Sequence, residues 1–147
     1  MKLEGEVLVN SPREKVWRIL NDREVLKKHM PGCESLEETE MDKFEAVITI
    51  GIGAIKGSYR AKINILNKKP PESYTLKLEG SGKPGFVKAE GDIHLEDRGN
   101  MTLLKYSGDL QVGGLIARVG QRIIGGITKN MTKKFFQDLA AEAESVE

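Results

Sequence analysis

Cysteine occurs once in this chain, at Cys33, tryptophan once, and histidine twice, at His29 and His94. A single cysteine excludes an intrachain disulfide and makes a reducing compartment the natural setting. Two histidines far apart in sequence, with no cysteine or carboxylate cluster at ligand spacing, do not make a metal site. No excess of one charge exists either: 23 Lys and Arg against 22 Asp and Glu leave a net charge of +1. That balance argues against a general nucleic-acid binder, which carries a clear basic surplus. Nothing approaches the ~18–20 consecutive apolar residues of a membrane span. The first ten residues, MKLEGEVLVN, alternate in polarity and hold no apolar run of signal-peptide length. A cytoplasmic protein is expected.

The 147 residues are 39% hydrophobic and 31% charged, a globular composition. This is the length of one domain, spanning 1–147, with enough chain to bury a core. Lys2 to Val9 reads as a strand, with Leu3, Val7 and Val9 on one face and Lys2, Glu4 and Glu6 on the other. The stretch SPREKVWRIL reads as a short helix: Ser11 as N-cap, Pro12 at the first position, Glu14 completing a capping box. Asn21-Asp22 breaks and recaps the chain for a second short helix from Arg23 to His29, ended by Pro31-Gly32.

From Cys33 to Val112 the apolar period becomes two. Phe44, Ala46, Ile48, Ile50 and Ile52 share a face, as do Tyr59, Ala61, Ile63 and Ile65. Tyr74, Leu76 and Leu78 follow, then Val87, Ala89, Ile93 and Leu95, then Leu104, Tyr106, Leu110 and Val112. The breaks are short, so the strands form an antiparallel meander. Gly114 to Ala143 reads as one helix about 45 Å long. Its apolar stripe is Ile116, Val119, Ile123, Ile127, Met131, Phe135 and Leu139. The expected fold is α+β: a curved seven-stranded antiparallel sheet wrapped around a long C-terminal helix, with two short helices between strands one and two.

The one thiol, in HMPGCESLE, invites a nucleophilic reading. A reactive thiol needs a base and a neighbour that lowers its pKa. Cys33 instead follows a helix C-terminus, the unfavourable end of the dipole, and precedes Glu34, Glu37 and Glu38. It reads as a small apolar residue at a strand start. The stretch GIGAIKG lacks phosphate-loop spacing and precedes a strand, so it reads as a turn. Tyr59, Tyr74 and Tyr106 occupy strand positions that packing explains.

Six stretches carry a family resemblance: SPREKVWRILNDREVL, PGCESLE, GIGAIKGSYRAKI, PPESYTLKLEG, GFVKA and QVGGLIARVGQRII. In this order and spacing the chain resembles the CoxG family of carbon monoxide dehydrogenase proteins, within the START-like, helix-grip superfamily of hydrophobic-ligand binders. The resemblance implies an apolar cavity between sheet and helix that holds a quinone or lipid. It implies a non-enzymatic accessory role beside a molybdenum hydroxylase or CO dehydrogenase, with no cofactor of its own. Family proteins are associated with enzyme maturation, membrane recruitment or quinone handling. Some relatives carry a C-terminal extension that reaches the membrane; this sequence stops at Glu147, so anchoring by such a tail is not expected.

On that resemblance, Leu115, Ile116, Val119, Ile123 and Ile127 would line the cavity opposite Ile52, Ile55, Phe86 and Val112, with Met30 and Pro31 at the entrance. On the other helix face, Arg118, Arg122, Lys129 and Lys133 fall within about 60° on a helical wheel. They form a candidate docking stripe for anionic lipid or an acidic protein surface. Two other classes remain: an assembly module with no ligand, and an enzyme such as a cyclase, which would need a buried polar constellation with shifted pKa values.

Overall fold

The computed structural model describes residues 1–51 and 53–145. Its strands are β1 (Lys2–Val9), β2 (Cys33–Glu40), β3 (Lys43–Ile50), β4 (Gly57–Lys69), β5 (Ser73–Gly82), β6 (Gly85–Arg98) and β7 (Met101–Gly113). Two short helices, α1 (Arg13–Leu20) and α2 (Arg23–His29), follow β1, and α3 (Gln121–Ser145) ends the chain. Short 3-10 turns occupy Gly53–Ile55 and Leu115–Val119. The strands form one antiparallel sheet in the order β1-β7-β6-β5-β4-β3-β2. Consecutive strands from β2 to β7 are neighbours, as short turns require. β1 closes the arrangement by pairing with β7, from Lys2 opposite Asp109 to Val9 opposite Thr102.

Alternation turns one face of every strand toward the helices. On β4 the side chains of Tyr59, Ala61, Ile63 and Ile65 are buried, while Ser58, Arg60 and Lys62 are exposed. A large apolar cluster joins Val9, Leu36, Leu95 and Leu104 of the sheet to Leu20 of α1 and to Phe136, Leu139 and Ala143 of α3. Those helix residues recur at three- and four-residue spacing, so one face of the C-terminal half of α3 is buried along its length. Trp17 meets Tyr74 edge-on at 5.5 Å, and Tyr106 stacks on Phe136 at 4.4 Å. These contacts fix the short helices and the long one against the same strands.

Asp22 caps α2 as its sequence predicts, accepting bonds from the backbone N–H of Glu24 (2.9 Å) and Val25 (3.3 Å). Ser11 does not cap α1: the N-cap is Pro12, and no side chain bonds there. The physical reason is tertiary. The Ser11 N–H donates to the Val9 carbonyl at 2.9 Å, and its own carbonyl accepts from Thr102 Oγ at 2.7 Å. Ser11 is thereby held at the buried end of β1 and β7.

The long helix is also shorter than its sequence predicts. Residues 115–119 form a 3-10 turn, Gly120 departs at φ 99°, and α3 starts at Gln121. Its 25 residues span about 37 Å. Gly114, at φ 79°, lies so close to Gly85 that a Cβ would sit 2.8 Å from the Gly85 Cα. The Ile116 N–H then donates to the Pro84 carbonyl at 2.7 Å. These contacts hold the segment to the β5–β6 turn instead of continuing it into the helix.

Candidate functional site

A second, smaller apolar cluster occupies the end of the molecule where α3 begins. Ile50 of β3, Tyr59 of β4, Ile116 of the 3-10 turn and Ile124 of α3 are its buried members. Ile55, Val119, Val112 and Met131 pack on it while keeping part of their surface exposed. Each arrives for a local reason. Ile116 is turned inward by its bond to Pro84. Tyr59 stays in place because its hydroxyl donates to the Ile55 carbonyl at 2.6 Å, which satisfies its one polar atom and leaves the ring as apolar wall.

Beside this cluster, the inner face of the sheet is lined by small residues. Ala46, Ala61 and Gly80 lie in register on β3, β4 and β5, and the row continues to Val87 and Val112. Gly80 is buried, yet a Cβ built on it would meet only the Ala61 Cβ at 3.8 Å and the Arg60 carbonyl at 3.9 Å. Nothing from the helix lies within that range. The backbone of α3 instead approaches β1, α1 and α2. Inward-pointing side chains around the gap, among them Ile48, Leu76, Leu78, Val87 and Met131, are half-buried. A side chain at Gly80 would thus find open space on the inner face, beside half-buried apolar side chains.

The outer face differs in kind. It carries an open depression of about 590 Å³, lined by Glu37, Glu45, Arg60, Lys62, Glu79 and Lys88 among others. Along the register the charges alternate as Glu45, Lys62, Glu79 and Lys88. This is a solvated strand surface whose neighbouring charges are complementary, not an apolar pocket.

The residues expected to line a cavity are not all brought together. Ile55, Val112, Ile116 and Val119 come together at the small cluster. Leu115 and Ile123 are 60% and 54% exposed and point to solvent, Ile127 is half-buried, and Met30 packs with the large cluster after α2. Phe86 is on the outer face, 43% exposed, where its ring covers Gly113 on the neighbouring strand. Ile52 lies outside the described residues. The break at Gly120 changes the helical phase, so Ile124 and not Ile123 turns inward. Periodicity places Ile50, Tyr59 and Met131 on inner faces without assigning them to the cavity, and it passes over Gly80. A glycine in an inward strand slot is the signal that could have found it. The four basic residues do not form one stripe either: Arg118 belongs to the 3-10 turn, and Arg122, Lys129 and Lys133 to α3.

The titratable groups show no nucleophilic arrangement at Cys33. Its Sγ donates to the Ser35 carbonyl at 3.3 Å. Burial pushes the thiol pKa up, and the nearby Lys27 and that backbone contact oppose the shift without reversing it. His29, the neighbouring histidine, faces α3, with Nε2 3.8 Å from the Glu142 carboxylate. Burial raises the phenol pKa of Tyr59, Tyr74 and Tyr106. Among the described residues no group of three or more His, Cys, Asp or Glu could hold a metal.

Comparison with known proteins gives a consistent picture. The family model for the carbon monoxide dehydrogenase subunit CoxG matches residues 5–144. A conserved protein from Geobacillus kaustophilus is 40% identical, covers 97% of this chain and 95% of its own, and superposes with a TM-score of 0.93. A START superfamily protein from Mycobacterium smegmatis is 14% identical, with 99% of both chains covered and a TM-score of 0.80. The ZhuI aromatase/cyclase from Streptomyces sp. R1128 is also 14% identical, over 98% and 93% of the two chains, with a TM-score of 0.73. These last two share the fold, a START-like helix grip. No protein with a curated description matches the chain.

Proposed function

Because this chain belongs to the CoxG family of carbon monoxide dehydrogenase proteins, we propose that it is a non-enzymatic carrier for an apolar small molecule, a quinone or a lipid. It would serve a molybdenum hydroxylase or CO dehydrogenase as accessory protein in the cytoplasm. The observation that carries this reading is the open space at Gly80, which is buried yet has only the Ala61 Cβ and the Arg60 carbonyl within 4 Å of a Cβ, beside half-buried apolar side chains. Binding would be driven by burial of ligand surface against these side chains, at about 25 cal/mol per Å². Tyr59, whose hydroxyl is already bonded to Ile55, presents only its ring to the ligand.

Native mass spectrometry of the purified chain, followed by solvent extraction, tests the proposal. A quinone or lipid at one-to-one stoichiometry is expected. Gly80→Leu, which places a side chain in that open space, should lower ligand occupancy at least tenfold while the circular dichroism of the sheet is retained. A ligand-free protein that also ignores added quinones and phospholipids would overturn the carrier reading in favour of an assembly module. Turnover of an added polyketide or similar substrate would instead make it an enzyme.

A further inference from the structure

The outer face of the sheet, turned away from the helices, carries charges that the chain leaves unpaired. On the adjacent strands β3 to β6, Glu45, Lys62, Glu79 and Lys88 lie opposite one another in register. One row across the sheet therefore reads negative, positive, negative, positive, and all four side chains are exposed. Among the described residues none of the four forms a salt bridge. The neighbouring outward row reads Val47, Arg60, Ser81, Phe86. Phe86 keeps 43% of its surface exposed even while its ring covers Gly113. The outward row on the other side reads Lys43, Asn64, Lys77, Glu90.

Each of these rows is complementary to its own reverse. A two-fold axis parallel to the strands, between β4 and β5, lays the face on a copy of itself with every row reversed. Glu45 then faces Lys88 of the second copy and Lys62 faces Glu79, and symmetry makes each contact twice. In the flanking rows Val47 meets Phe86, Arg60 meets Ser81 and Lys43 meets Glu90. No row sets like charges against each other. An axis along the first row, across the strands, would instead place Glu45 on Glu45 and Lys62 on Lys62, so the pattern selects one orientation. That row carries no net charge, so neither an anionic nor a cationic surface matches it, whereas its own reverse does. Facing sheets pack about 10 Å apart. The open depression of about 590 Å³ on this face gives the long Lys and Glu side chains room between them.

We propose that the outer face of β3 to β6 is an interface with a second copy of this chain, in a two-fold dimer with its strands aligned. Phe86 against Val47 supplies the apolar contact, and the charged rows set the orientation. Exposed ion pairs contribute little each, so the dimer is weak and salt-sensitive. The inner face and α3 stay outside the interface, and cargo binding is independent of it.

Sedimentation velocity of the full chain over a concentration series tests this. A monomer–dimer equilibrium is expected, moving toward monomer with added salt. Lys62→Glu and Glu79→Lys should each raise the Kd of dimerisation at least tenfold, because each sets two like-charged pairs across the axis. Mixing the two variants in equal amounts should restore a dimer with one copy of each, since every charge at these positions then meets its opposite. Lys129→Glu, on α3 and away from this face, should leave the Kd within about twofold. A chain that stays monomeric at every concentration overturns the proposal. So does a dimer that both variants leave unchanged, or a pair of monomeric variants that fail to associate when mixed.

Discussion

Cys33 shows how one residue's chemistry follows from its surroundings. Partial burial favours the neutral thiol, and the short contact to the Ser35 carbonyl uses its only donor. The sequence anticipates the direction of the shift from the preceding helix C-terminus and the acidic residues after it, whereas its cause in the fold is burial. Its reaction with iodoacetamide at neutral pH should be several times slower than that of a free cysteine, because less thiolate is present. A rate equal to or above that of free cysteine would contradict the assignment. Phe86 illustrates the opposite case. Alternation puts it opposite Val87, on the outer face, and its role there is to cover the bare backbone of Gly113.

Secondary-structure elements are legible where their signals are local. The bounds of β1 and α2 follow from alternation and from Asp22 as a cap. The division of 114–143 into a turn and a helix is not legible. Isoleucines and valines at helical spacing continue through it, and a 3-10 turn carries no pattern of its own over five residues. Gly120 is the pivot, at φ 99° and ψ 147°, a region open essentially to glycine alone. Gly120→Ala should cost about 1–3 kcal/mol from backbone strain, read as a lower urea midpoint. No Cβ clash adds to this, since nothing lies within 4 Å. A variant as stable as the parent would show that the turn accepts another conformation.

Across the fold as a unit, the sheet buries three tyrosines to different depths, and Tyr74 most of all. Burial raises each phenol pKa above its ordinary value of about 10. Below that value all three are neutral in both states, and their contribution is fully present. As pH rises past it, the unfolded chain releases protons that the folded chain retains, so stability falls. The urea midpoint is expected to decline between roughly pH 10 and 11, with a smaller decline in Tyr74→Phe. An equal decline in the variant would remove Tyr74 as a source.

Strand count, the order of elements and the inner face of each strand are all written in the chain itself. Those properties reside in neighbouring residues, through a period of two or a cap a few positions away. Two others arise from folding alone: where the last helix begins, and which of two adjacent isoleucines turns inward. Each depends on contacts between segments distant in sequence: Gly114 on Gly85, Ile116 on Pro84, Ile55 beside Ile116. The open space beside Gly80 belongs to the same class. A missing side chain can be read from a sequence, but whether anything packs into the space it leaves depends on the path of α3.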